Sequence, residues 1–209
     1  MRKVIAAAFV SLDGVMQAPG GAKEDTSSGF SLGGWVWPYS DAVTQAAVMS
    51  LFAQPFELLL GRRTYDIFAA YWPKAAEDHP IGGPFNRTRK YVASRNPKLK
   101  LAWRNSHALI DTSRGADAIA AVRALRSEDG PDLLTQGSAD FLKTLFRLDL
   151  VDEMQVMIFP ITLGTGKRLF GEDGSPGAWR LLRAEVSGTG VAVHRYARAG
   201  AVVTGEAPA

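Results

Sequence analysis

The chain has 209 residues, 46% hydrophobic and 22% charged, the balance of a soluble globular protein with one sizeable core. It has no cysteine, which excludes disulfides and cysteine-ligated zinc or iron–sulfur sites, and His79, His107 and His194 lack the short spacings of a metal site. A net charge of +3 without a dense Lys/Arg run does not point to nucleic acid; it suits an anionic small ligand.

Taken in order, Val4 to Val10 is a near-continuous apolar run that meets Ser11-Leu12-Asp13-Gly14 directly. It reads as a strand covered on both faces rather than a signal peptide. No stretch reaches the roughly 20 apolar residues of a membrane span, so the expectation is a cytoplasmic protein without a membrane partner. Residues 17–38 form a long glycine-rich and polar loop ending in Trp35, Trp37 and Pro38. It reads equally as a lid over a ligand and as a surface excursion pinned by two tryptophans. Ser40 or Asp41 caps the next helix, 42–53.

Phe56 to Phe68, FELLLGRRTYDIF, is a short buried strand that turns at Gly61 into a helix reaching about Ala70. Gly61 lets the backbone approach a ligand, and Arg62 and Arg63 place positive charge beside the turn. Thr64 offers a hydroxyl at the helix start, where unpaired N–H groups and the helix dipole favour a phosphate. The plain alternative is a glycine closing a strand beside two solvated arginines. Residues 72–89 read as a loop. Lys90 to Ser94 is a strand followed by Arg95, Asn96 and Pro97, and His107 to Asp111 is a weaker strand. Ala116 to Arg126 has helical spacing.

Asp132 to Gln136 is a strand, and Gly137-Ser138 opens a helix from Ala139 to Phe146 with backbone N–H groups presented at its start. Glu153 to Ile161 is a strand with Pro160 near its end. Leu163 to Gly171 is a glycine-rich loop carrying Lys167 and Arg168, and residues 179–198 are two strands joined by a turn. Residues 1–200 read as one domain and 201–209 as a frayed tail.

Strands alternating with helices predict an α/β fold with a mostly parallel sheet and an antiparallel C-terminal hairpin. Ligands in such sheets bind beyond the carboxyl ends of the strands. The turns SLDG, LLLGRRTY, VASRN and LLTQGS all fall at such ends. Two glycine turns opening helices can bracket a pyrophosphate, and a third, with Ser94 and Arg95, can hold a further phosphate. No G-x-G-x-x-G, Walker or G-x-S-x-G pattern is present. Asp13 and Asp41 are the acid–base candidates; the competing readings are a turn carboxylate and a helix N-cap.

These residues resemble a known group. LLLGRRTYDIF is similar to the strand–Gly-Arg-x-Thr–helix segment of dihydrofolate reductases. VSLDGV, the stretch Leu133 to Phe170 and the last strand pair resemble the reductase domain of riboflavin-biosynthesis deaminase–reductases. The resemblance covers about Lys3 to Arg198, and Leu148 to Phe170 is its most specific part. It implies a dihydrofolate-reductase-like three-layer fold that binds NADPH and is often a homodimer.

By position, the resemblance assigns Gly61, Arg62 and Thr64 to the adenosine-side phosphates, and Ser94 and Arg95 to the ribose and its 2′-phosphate. Gln136, Gly137 and Ser138 match the pyrophosphate turn. Leu12, Asp13 and Gly14 match the nicotinamide side, and Leu163 and Gly164, with Trp37, the substrate side. Two departures stand out. Dihydrofolate reductases usually carry Gly-Gly at 137–138, and Asp41 is only loosely equivalent to their substrate carboxylate. The implied activity is hydride transfer from NADPH to a small polar substrate, a pyrimidine ribosylamine-like or other C=O or C=N compound. The alternatives are a pterin or folate reductase and a non-catalytic NADP-binding module.

Overall fold

Residues 1–94, 96, 98–110, 118–171 and 174–207 are described by the computed structural model. Its strands are β1 (Val4–Ser11), β2 (Phe56–Gly61), β3 (Lys90–Ser94), β4 (Ser106–Ile110), β5 (Asp132–Gln136), β6 (Glu153–Phe159), β7 (Trp179–Val186) and β8 (Ala192–Arg198). They form one sheet in the order β4-β3-β2-β5-β1-β6-β8-β7. From β4 to β6 every pairing is parallel, while β8 runs antiparallel to both β6 and β7. The α/β reading therefore holds, including the antiparallel strands at the C-terminus.

The helices are α1 (Ala42–Ser50), α2 (Arg62–Tyr71), α3 (Gly82–Arg87), α4 (Ala118–Ser127) and α5 (Ala139–Arg147). Parity along the strands divides them between two faces. Val4, Ala6, Ala8, Leu59, Leu133 and Val156 face one way and pack with Val122 of α4 and with Leu142 and Leu145 of α5. Leu58, Leu60, Val92 and Leu134 face the other way and pack with Tyr65 of α2, Phe85 of α3 and Trp103. Because both faces are covered, Leu58, Leu59 and Leu60 are all fully buried, each contributing about 1.5–3 kcal/mol. That is why FELLL is continuous rather than alternating.

Some element boundaries differ from the sequence reading. Helix α1 ends at Ser50 rather than 53, because residues 51–53 tighten into turns in which Leu51 N donates to Val48 O at 3.2 Å and Phe52 N to Met49 O at 3.0 Å. Helix α3 falls inside the stretch read as loop; Gly-Gly-Pro carries no helical signal, and tertiary contacts build it. Asn86 donates to Trp72 O at 2.9 Å and accepts from Trp103 Nε1 at 2.7 Å. Arg95, Pro97, Asp111, Ala116 and the last two residues of the expected tail lie outside the described residues.

The 17–38 loop is pinned rather than open. Trp35 and Phe30 are buried against Val15, Met157, Phe159 and Val193, and Trp35 Nε1 donates to Gln17 O at 2.9 Å. Trp37 is exposed. Among the described residues no helix is long and apolar enough to cross a membrane.

Candidate functional site

The parallel pairing of β2 with β5 puts the glycine turns at 61 and 137–138 side by side. Helices α2 and α5, which follow these turns, leave for opposite faces of the sheet. Adjacent strands whose helices diverge in this way open a crevice at their carboxyl ends. Neither helix has a side-chain cap at its N-terminus, although α1 has one. The first-turn N–H groups of α2 and α5 are thus offered to the crevice.

The turns touch. A Cβ on Gly61 would overlap the Ser138 side chain and stand 3.0 Å from Phe141 Cβ. Gly61 has an ordinary extended backbone, φ −70°. Its missing side chain therefore makes room for Ser138, which corrects the expectation that it admits a ligand directly. Ser138 holds the left-handed conformation, φ 67°, beside Gly137 at φ 81°. Gly137 is less crowded: a Cβ there would make only ordinary van der Waals contact, 3.7 Å from Thr64 Oγ1 and from Met16 Cε. Gln136, half-buried, is the last β5 residue and pairs with Ala7.

Two arginines in the first turn of α2, with no acid there, oppose the helix dipole by roughly 0.3–1 kcal/mol each. Arg62 Nε meets both carboxylate oxygens of Asp66 at 2.7 Å, so it is engaged along its own helix. Arg63 Nη2 meets Asp25 Oδ1 at 3.0 Å and is about half exposed at the crevice end of α2. Uncapped N–H groups, an uncrowded glycine and a cation together fit the phosphates of a dinucleotide.

A second cluster forms at the ends of β1 and β6. Asp13 accepts from Ser11 Oγ at 2.6 Å, Leu163 N at 3.0 Å and Gly164 N at 2.8 Å. Leu12 N donates to Ile161 O at 2.7 Å, and Gly14 O accepts from Leu169 N at 3.0 Å. Leu12, Asp13, Gly14, Leu163 and Gly164 are thus brought together. The Ser11 hydrogen bond, against a partial burial penalty and with the two loop N–H groups, holds the Asp13 carboxyl down at about 2. Such a group, carrying three hydrogen bonds, stays ionised near neutral pH and fastens the loop at the position where the sequence suggested an acid–base role.

Asp41, the other acid–base candidate, is also engaged by backbone. Its carboxylate accepts from Thr44 N at 2.9 Å, Thr44 Oγ1 accepts from Asp41 N at 2.8 Å, and the reciprocal pair caps α1. The Thr44 N–H, opposed by a burial penalty and helped by the Thr44 hydroxyl, holds its carboxyl below the usual range. Trp37 Nε1 bonds Gly20 O at 2.8 Å with its ring exposed, and no described contact puts it against Gly61 or Gly137. Ser94 Oγ accepts from Asn96 N at 3.0 Å. Arg95 lies outside the described residues.

The sequence reading missed Asp25 and Gln17. Asp25 is buried within the 17–38 loop, and Lys167 Nζ meets its Oδ2 at 2.6 Å. Burial opposes ionisation of Asp25, but the Lys167 and Ser27 hydrogen bonds prevail and its carboxyl titrates low. Gln17 Oε1 accepts from Lys167 N at 3.0 Å, and its Nε2 donates to Asp25 O at 3.0 Å. The only sequence signal was the Asp-x-Ser turn, since Lys167 is 142 residues away.

Comparison with known proteins agrees with this architecture. The RibD C-terminal domain family matches residues 2–193. Protein YyaP of Bacillus subtilis is 29% identical over 116 residues, spanning 54% of this chain and 58% of that protein. A pyrimidine reductase-like protein from Corynebacterium diphtheriae superposes with a TM-score of 0.62 at 13% identity, covering 95% of this chain and 92% of the other. Dihydrofolate reductase from Enterococcus faecalis, complexed with NADP(H) and RAB-propyl, superposes with a TM-score of 0.59 at 12% identity, covering 94% of this chain and 96% of the other. The fold is dihydrofolate-reductase-like.

Proposed function

The chain belongs to the RibD C-terminal domain family, and from that premise we propose that it is an NADPH-dependent reductase of a small polar substrate. The observation that carries the cofactor is the crevice between β2 and β5, where two helix N-termini without side-chain caps meet through Gly61 and Ser138. Backbone N–H groups of both first turns, with Arg63, bind the phosphates. Ser94 lies at the end of the neighbouring β3, in line for the adenosine end. When bound, the cofactor supplies the hydride.

Leu12 and Gly14 with the 163–164 loop form the nicotinamide and substrate side, held in place by Asp13. The substrate is a pyrimidine ribosylamine-like or other C=O or C=N compound. Since Asp13 and Asp41 are engaged by backbone N–H groups, the proton comes from water rather than from either carboxylate.

Those same engaged carboxylates favour the second reading, an NADP-binding module without turnover. The two separate in one experiment. NADPH raises the melting temperature under both readings, but only the reductase consumes NADPH when offered a panel of pyrimidine ribosylamines and pterins. If neither NADPH nor NADP changed the melting temperature, the cofactor assignment would be wrong.

A further inference from the structure

Asp25 is a carboxylate, 8% exposed, shared by two cations from different parts of the chain. Its Oδ1 accepts from Ser27 N at 3.1 Å and Ser27 Oγ at 2.7 Å and forms an ion pair with Arg63 Nη2 at 3.0 Å; its Oδ2 accepts from Lys167 Nζ at 2.6 Å. The three segments it joins are the 17–38 loop, the first turn of α2 and the loop after β6. Its two cations differ in position. Lys167 is mostly covered, and its backbone is tied to Gln17 Oε1 and Met16 N. Arg63 is 53% exposed and stands at the α2 N-terminus.

A carboxylate with one cation resists losing it, because a buried unpaired charge costs several kcal/mol. With two cations and a serine on it, Asp25 remains paired when one cation turns away. Arg63 is the partner positioned to turn. We propose that Asp25 is a positioning residue that couples the 17–38 loop to the phosphate crevice. It holds Arg63 when no ligand is bound, and a bound phosphate competes for that guanidinium and slackens one of the two ion pairs that tie the loop through Asp25. The coupling is reciprocal, so the state of the loop alters phosphate affinity by the same factor. This inference rests on the phosphate crevice of the proposed function, but not on turnover.

The test follows amide hydrogen exchange of residues 17–38 and ligand affinity, with NADPH and inorganic pyrophosphate as separate probes. In the wild-type protein either probe should change protection of the loop. Asp25→Asn removes the anion that competes for Arg63, so both probes should bind about fivefold tighter at low salt, roughly the effect of one unit charge at contact distance in water. Loop protection in that variant should fall and cease to respond. Arg63→Gln leaves the Lys167 tether, so it should keep basal protection and lose the response; Asp25→Glu should restore part of it. Weaker binding in Asp25→Asn, or an undiminished response in Arg63→Gln, would overturn the coupling, as would a wild-type loop indifferent to pyrophosphate. A loop that responds to pyrophosphate while NADPH fails to bind would instead sink the cofactor assignment and leave the coupling standing.

Discussion

The two edges of the sheet handle charge differently. At the amino ends of the parallel strands, charged side chains are buried and paired. Arg2 is held by Glu57 and by Pro131 O at 2.5 Å; Glu153 is held by Lys3 at 2.7 Å and Arg195 at 2.8 Å. Lys90, fully buried, donates to Thr88 O at 2.8 Å and Arg104 O at 3.0 Å and sits 4.3 Å from the Trp103 ring centre. An open hollow of about 460 Å³ lies there, lined by Arg2, Glu57, Arg89 and Glu128 among others. At the carboxyl ends Asp13 and Asp25 are paired as well, but beside them stand backbone N–H groups without side-chain caps, a left-handed serine and a half-exposed arginine. Burying charge and having room are not enough to make a site. The useful sign is polar capacity that the fold itself does not absorb.

That contrast can be broken by substitution. The largest effect is expected at the amino edge. Lys90→Met leaves the carbonyls of Thr88 and Arg104 without their donor and should cost about 3 kcal/mol of unfolding free energy in urea titrations. The folded fraction should bind NADPH as before; a loss of affinity beyond the loss of stability would mean the edges are coupled. Gly61→Ala comes next. Its new Cβ collides with Ser138, so it should cost about 1–3 kcal/mol and weaken NADPH by displacing the start of α5. Adding Ser138→Gly should recover much of both, because it removes the collision and a left-handed non-glycine residue together.

How much of this was legible in the sequence follows from the range of each interaction. The strands β1, β2, β3 and β5 and the position of their turns at carboxyl ends could be read because apolar runs and glycine punctuation are local; the order of the strands in the sheet could not. The crevice partners Gly61 and Ser138 were both visible, but that one fills the space of the other was not, since it depends on how β2 and β5 pair. Helix α3 was missed because Asn86 and Phe85, held by tertiary contacts, override a Gly-Gly-Pro start. Asp25 looked like any acid in a polar loop; its cations come from Arg63 and Lys167. Arg62 was preferred over Arg63 on position alone, whereas a helix neighbour four residues on engages Arg62.

Two carboxylates at the site edge supply the smaller effects. Asp41→Ala should lower the melting temperature slightly through loss of the α1 cap and leave the rate of any NADPH oxidation unchanged. A fall in rate without a fall in stability would return Asp41 to the chemistry. Asp13 should show itself as a pH effect. Its folded-state value of about 2 lies below the ordinary 3.8, so the unfolded chain takes up a proton at a higher pH than the folded one. The stabilisation is therefore fully present above the ordinary value and is lost as pH falls towards about 2. Asp13→Asn should lower stability at neutral pH, where the stabilisation is fully present, and flatten the acid limb so that its curve meets that of wild type as pH falls towards about 2. The carboxylate is partly open to solvent, so added salt should shrink the difference. If the variant instead shifted the NADPH-oxidation pH profile near neutrality, Asp13 would be handling the proton and not merely fastening Leu163 and Gly164.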